Sequence, residues 1–336
     1  MAELTPKENM IRVLKHQIPE RIPNLLKDTI SYLPPEVAER APGDGSIAQK
    51  LGGTGYDWFG IHWTFQPHAG ASMGSHEYPP LLEDITQWKE VVKFPDLDAI
   101  DWAAIAERDK DKFDPQKLCT ITLLNGMFER LHALMGMEEA CCALLLEPEA
   151  TYEFFGAVAD HKIKLMDKLV THFPVDQIEL HDDWGHHTNA FFGADTWEEL
   201  LAPHIKRIVA FAKEKDVFLR FHSCGKVESL IPSMVEAGID HWSSAQTIND
   251  IENIIKNYGD RLVLTGGMDW EELKKPGITK EEAKAIVTDK VLKLCRGGAL
   301  IPFGGSSVPL VNPVLEEILS EQKDFFKNPE NCKLPV

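Results

Sequence analysis

Eight short apolar runs, each followed by material of helical period, constrain this chain more than any other feature. They fall at residues 22–26, 56–63, 118–124, 176–181, 217–222, 239–243, 262–265 and 299–303. Runs of this length, bounded by turn residues, read as strands buried on both faces, and their alternation with helices is the pattern of a parallel sheet with crossover helices. Eight such units predict a closed (β/α)8 TIM barrel, which needs roughly 250 residues. Thr5-Pro6-Lys7-Glu8 opens a helical extension ahead of it, with a capping-box pattern and proline at the first helical position. No break in composition separates two halves, so residues 1–336 read as a single domain. A doubly wound open sheet is the competitor; no Gly-rich phosphate loop follows any strand, which weakens its nucleotide-binding form.

Between the strands, residues 34–51 read as a helix broken by the Pro42-Gly43-Asp44-Gly45 turn, and residues 64–80 as a long loop carrying His68 and His76. Residues 88–111 read as a peripheral helical region. Thr196-Trp197-Glu198-Glu199 and Thr279-Lys280-Glu281-Glu282 read as capping boxes opening two later helices.

Composition sets the outer limits. A net charge of -18 argues against nucleic acid and anionic membrane surfaces as partners. The six cysteines show no framework spacing and read as reduced thiols, Cys141-Cys142 and Cys295 as packing residues. With no apolar signal core and no run of 18 apolar residues, a soluble cytoplasmic protein is expected.

In a barrel, chemistry collects at the carboxyl ends of the strands. The fifth strand ends in His222-Ser223-Cys224-Gly225. Residues two apart on a strand share a face, so His222 and Cys224 present an imidazole and a thiol side by side. That is half of a zinc site, or a packed histidine beside a free thiol. The fourth strand ends in Glu179-Leu180-His181-Asp182-Asp183-Trp184. By strand parity Glu179, His181 and Asp183 face the barrel interior, where carboxylates and imidazoles are costly unless paired or metal-bound. A metal or proton-transfer site and a hydrogen-bonded polar cluster both fit. Gly266-Gly267 and Gly304-Gly305 imply close approach by a ligand or a tight turn.

Several stretches together resemble the uroporphyrinogen decarboxylase superfamily, including its corrinoid-dependent methyltransferase branch. They are Thr5-Pro6-Lys7-Glu8 through Pro19-Glu20-Arg21-Ile22-Pro23, Phe94-Pro95-Asp96-Leu97-Asp98, Gly126-Met127-Phe128-Glu129-Arg130, Glu147-Pro148-Glu149, His222-Ser223-Cys224-Gly225, Gly238-Ile239-Asp240 and Gly266-Gly267. The resemblance implies a (β/α)8 barrel. Decarboxylases of that family carry an arginine-rich signature for substrate carboxylates; Pro23-Asn24-Leu25-Leu26-Lys27-Asp28 lacks it. The family's thiol-activating zinc methyltransferases complete His-x-Cys with a cysteine after the last strand. Here that loop reads Phe303-Gly304-Gly305-Ser306-Ser307-Val308-Pro309.

The resemblance implies a zinc-dependent methyltransferase of the O-demethylase type, passing a methyl group from a small donor, an aryl methyl ether first, to the cobalt of a separate corrinoid protein. His222, Cys224 and a strand-four group, Glu179 foremost, would hold zinc. Asp182, Asp183 and His181 would orient the donor or manage the leaving-group proton. Trp58 and Trp184, with Phe59, Trp63, Phe191, Phe192 and Trp242, would line an apolar pocket, and Gln246 would add a hydrogen bond. Methyl delivery to a folate or thiol and tetrapyrrole decarboxylation are the alternative activities, and a non-catalytic corrinoid or tetrapyrrole carrier the alternative class. A homodimer is left open.

Overall fold

The structure is a computed structural model that describes residues 3–43, 52–67, 71–74, 77–305 and 310–335. Seven parallel strands form its centre: β1 (Thr29–Tyr32), β5 (Leu118–Leu123), β6 (Gln177–His181), β7 (Phe218–His222), β8 (His241–Ala245), β9 (Val263–Gly267) and β10 (Leu300–Phe303). Their spatial order is their chain order, as expected when each crossover helix returns the chain to the next parallel position. Helices Met127–Met135, Met137–Leu146 and Pro148–His172 link β5 to β6, helices Ala194–Leu200 and Ala202–Glu214 link β6 to β7, and shorter helices join the rest. The sheet curls into an α/β barrel. Its strands are nearly apolar toward the helices, with Ile121, Ile178, Leu180, Phe221 and Leu264 all 1% exposed or less.

The early elements depart from the sequence reading. Residues 22–26 do not form a strand: the Asn24 side chain accepts from the Leu26 and Lys27 N–H groups and starts a helical turn, Leu25–Asp28. Local side-chain capping of this kind competes directly with strand pairing. The first strand is therefore β1, a few residues later. Residues 56–63 are split rather than continuous. The Asp57 carboxylate accepts from the Phe59 and Ile61 N–H groups and from the Trp63 indole, folding a turn. The flanking pieces become β2 (Gly55–Tyr56) and β3 (His62–Gln66), which pair antiparallel with β4 (Ala71–Gly74) in a separate sheet. The barrel thus has seven hydrogen-bonded strands among the described residues. Leu25 and Leu26 lie beside Pro302 and Phe303 at the β10 edge, where Pro302 has no N–H to offer a further strand.

Residues 34–43 form turns, not a helix. The remainder of that expected helix, His68, His76 and residues 306–309 lie outside the described residues. Thr196 does not cap a helix either, because that helix begins at Ala194 after Gly193. The capping boxes at Thr5 and Thr279 both form. Gly266 (φ +136°) fits a tight strand approach: a Cβ there would sit 2.7 Å from the Ala245 carbonyl oxygen. Cys295 is fully buried, whereas Cys142 is exposed and does not pack inward. Among the described residues no helix is long and apolar enough to cross a membrane.

Candidate metal centre

Strand parity stacks polar side chains inside the barrel in three levels. At the lowest, the Gln177 amide donates to His241 Nδ1 (3.0 Å), which leaves the His241 Nε2–H to donate to Thr265 (2.8 Å). Burial, with the Arg220 charge, holds the His241 pKa well below its usual value, so this ring is neutral. In the middle level Glu179 collects three partners. Ser243 Oγ donates to its Oε1 (2.7 Å), Thr122 Oγ1 donates to its Oε2 (3.1 Å), and Arg220 Nε lies 2.8 Å from Oε1. Burial disfavours this carboxylate, but the Arg220 charge and His222 outweigh it and hold its pKa well below the ordinary range.

The top level is the strand tips. The His181 and His222 rings stack 3.7 Å apart and 7° from parallel. His222 Nε2 lies 3.2 Å from Cys224 Sγ and 3.9 Å from Asp183 Oδ1, while its Nδ1 lies 3.3 Å from Ser243 Oγ and 3.7 Å from Glu179 Oε1. The Asp183 carboxylate also accepts the Cys224 N–H at 2.7 Å, which ties the tips of β6 and β7 together. Burial opposes a charged His222, but the Cys224, Glu179 and Asp183 charges outweigh it and raise its pKa well above the usual value. His181 goes the other way: burial and the neighbouring His222 charge push it well down. A charged ring therefore stacks on a neutral one.

Among the described residues, two overlapping groups have donor atoms within 4.8 Å of one another: Glu179, His181 and His222, and Asp183, His222 and Cys224. The second fits a metal better. Glu179 already spends both oxygens on Ser243, Thr122 and Arg220. Asp183, His222 and Cys224 are each half-buried, so the group opens to solvent. Tetrahedral zinc at ordinary bond lengths spaces such ligand atoms about 3.4–3.6 Å apart. The Nε2–Sγ and Nε2–Oδ1 separations of 3.2 and 3.9 Å bracket that figure.

The turn that carries Cys224 is built by backbone. Gly225 (φ +86°) presses on Gly185, and a Cβ there would overlap the Gly185 carbonyl. Gln246, expected to touch a ligand, instead accepts the Gly225 N–H at 2.7 Å and holds this turn.

Other expected site residues sit elsewhere. Asp182 points away from the cluster, with its carboxylate accepting from the Met127, Phe128 and Glu129 N–H groups at the start of the helix Met127–Met135. Burial and the Glu129 carboxylate push its pKa up to about 7 against those donors. Its alternation on β6 could not place it inside, since Asp182 has the opposite parity to His181. Trp184 is fully buried against Trp197 and Phe221, so it is core rather than pocket wall. Trp242 is likewise buried, its indole donating to the Ser223 carbonyl. Trp58 packs edge-on to His161, and Phe191 and Phe192 pack on Phe128.

Sequence reasoning missed Arg220 and Ser243. Arg220 was accessible, because it shares the parity of His222 two residues on. Missed as well was the ion-pair cluster of Glu39, Asp57, Arg130 and Lys162, which no local pattern announces.

Fold and cluster together define an α/β barrel with imidazole, thiol and carboxylate groups gathered at the carboxyl ends of adjacent strands. The chain belongs to the uroporphyrinogen decarboxylase family, whose model, described as "Uroporphyrinogen decarboxylase (URO-D)", matches residues 58–294. Among solved structures it is similar to a methyltransferase from Methanosarcina mazei, at 14% identity and a TM-score of 0.62, covering 97% of this chain and 100% of that one. No curated protein sequence matches it.

Proposed function

We propose that this protein is a zinc-dependent methyltransferase that passes a methyl group from a small methylated donor, an aryl methyl ether foremost, to a corrinoid held by a separate protein. The observation that carries the reading is the half-exposed meeting of Asp183, His222 and Cys224 within 4.8 Å. Membership of the family and likeness to a barrel described as a methyltransferase support it.

His222 through Nε2, Cys224 through Sγ and Asp183 through a carboxylate oxygen would hold the metal, in place of the Glu179 ligation expected from the strand pattern. When bound, zinc would act as a Lewis acid toward the donor oxygen and improve the leaving group. One thiolate beside nitrogen and oxygen ligands donates less charge than two thiolates do, which suits an oxygen-bound methyl group. His181, neutral and stacked on His222, blocks rotation of the liganding ring. Asp183 keeps its backbone contact with Cys224 and so fixes the spacing of the two strand tips. Asp182 has no part in proton transfer here; it holds the neighbouring helix.

The test is methyl transfer from aryl methyl ethers to cob(I)alamin, followed by the cobalt absorption change, in the zinc-loaded protein and in His222→Ala and Cys224→Ser. Transfer by the unaltered protein, lost in both folded variants, is the expected result. Activity retained in both would sink the assignment.

A further inference from the structure

The middle level of the barrel says how His222 is aimed. A serine hydroxyl has one proton to donate and lone pairs to accept with, and a carboxylate can only accept. Ser243 Oγ is 2.7 Å from Glu179 Oε1 and 3.3 Å from His222 Nδ1. Its proton goes to the carboxylate, so the oxygen must accept from the imidazole. Arg220 Nε, 2.8 Å from the same Oε1, and Thr122, on the other oxygen, keep Glu179 from turning away. Ser243 is 4% exposed, so water is a poor substitute for either partner.

We propose that Ser243 is a positioning residue that relays the hold of Glu179 and Arg220 to His222, keeping a proton on Nδ1 and directing Nε2 at Cys224 and Asp183. The relay runs His222 Nδ1–H to Ser243 Oγ, then Ser243 O–H to Glu179 Oε1. It deepens the metal reading above and rests on it for its consequence. Partners behind a liganding histidine fix its ring orientation, and losing one costs typically about 10–100-fold in metal affinity. The expectation for Ser243→Ala is thus zinc binding weakened about 10–100-fold with the fold retained.

Two readouts test it on the full chain. The first is the His222 Nδ1–H resonance in metal-free protein with 15N-labelled histidine. A slowly exchanging signal is expected in the unaltered protein and in Ser243→Thr, which keeps the hydroxyl, and its loss in Ser243→Ala. The second is zinc affinity by competition with a chromophoric chelator, expected to fall in Ser243→Ala and recover in Ser243→Thr. If Ser243→Ala does not fold, Ser243→Val, the apolar isostere of the threonine variant, also removes the hydroxyl and should weaken both readouts in the same way. An unchanged Nδ1–H signal and unchanged zinc affinity in the folded variant would overturn the proposal. If the unaltered protein binds no zinc, the metal reading fails, and the Nδ1–H measurement still decides the role of Ser243.

Discussion

Glu39 offers a sharp test of how this barrel is held. Its carboxylate lies 2.6 Å from Lys162 Nζ, 3.2 Å from Arg130 and 3.4 Å from His161, and the Glu39, Arg130 and Lys162 side chains are each only 1% exposed. Lys162 also donates to the Leu124 carbonyl at 2.7 Å, beyond β5. The cluster therefore ties residues 39 and 124 to the long helix Pro148–His172. Glu39→Gln keeps the shape and removes the charge, leaving two buried cations with Asp57 as their chief counterion. Unpairing a buried charge in this way costs about 3–5 kcal/mol. With an unfolding entropy of about 2.1 cal/mol/K per residue, that corresponds to a fall of about 4–7 °C in Tm for a chain of this length. Burial alone would raise the Glu39 pKa, but Lys162, His161 and Arg130 overcome it and hold it far below the ordinary 4.5. A depressed carboxylate pKa contributes stability that is present above the unfolded value and lost as pH falls below it. The gap between the unaltered protein and Glu39→Gln should therefore narrow below about pH 4.5. Urea and thermal unfolding followed by circular dichroism read both effects. The double variant Glu39→Met, Lys162→Met should regain much of the single-variant loss, because an apolar pair can replace a buried ion pair. A cost under about 1 kcal/mol for Glu39→Gln would refute the idea that the cluster is a structural clamp.

Three further outcomes follow from the same geometry. Gly225→Ala forces a side chain into the Gly185 carbonyl at a positive φ, so zinc binding should be lost; retained affinity would show that the Cys224 turn is not held by this contact. Asp182→Ala strands buried N–H groups of the helix Met127–Met135 and should cost about 3 kcal/mol in denaturant melts while leaving zinc affinity alone; a stable variant that binds zinc but transfers no methyl group would restore Asp182 as a proton carrier. Burial pushes the His132 pKa down to about 4, so this residue contributes stability at neutral pH that is lost as pH falls from about 6.5 towards about 4. His132→Phe should flatten that part of the stability profile, and an unchanged slope would contradict the assignment.

The later barrel was legible because each strand there is a compact apolar run with a clear helix after it. Residues 118–124, 176–181 and 299–303 all match observed strands within a residue or two. The early chain was not legible, since short-range polar groups override pattern there. Asn24 turns an apolar run into a helical turn, and Asp57 splits an aromatic run into a hairpin. At the site, parity on β6 and β7 correctly brought Glu179, His181 and His222 inside. It could not say that Glu179 would be saturated by Ser243 and Thr122, since those come from neighbouring strands. Trp184 was misjudged for a related reason: proximity in sequence to the strand tips does not reveal whether a side chain turns to the mouth or the core.

The central claim is that Asp183, His222 and Cys224 hold a metal ion. Zinc content of the purified full chain, measured by atomic emission beside Cys224→Ser and Asp183→Ala, tests it most directly. Close to one zinc per chain in the unaltered protein, falling sharply in both folded variants, is the predicted result. No zinc after reconstitution, or zinc unaffected by either substitution, would contradict it and return His222 and Cys224 to a packed histidine beside a free thiol, with Asp183 only tying the tips of β6 and β7 together.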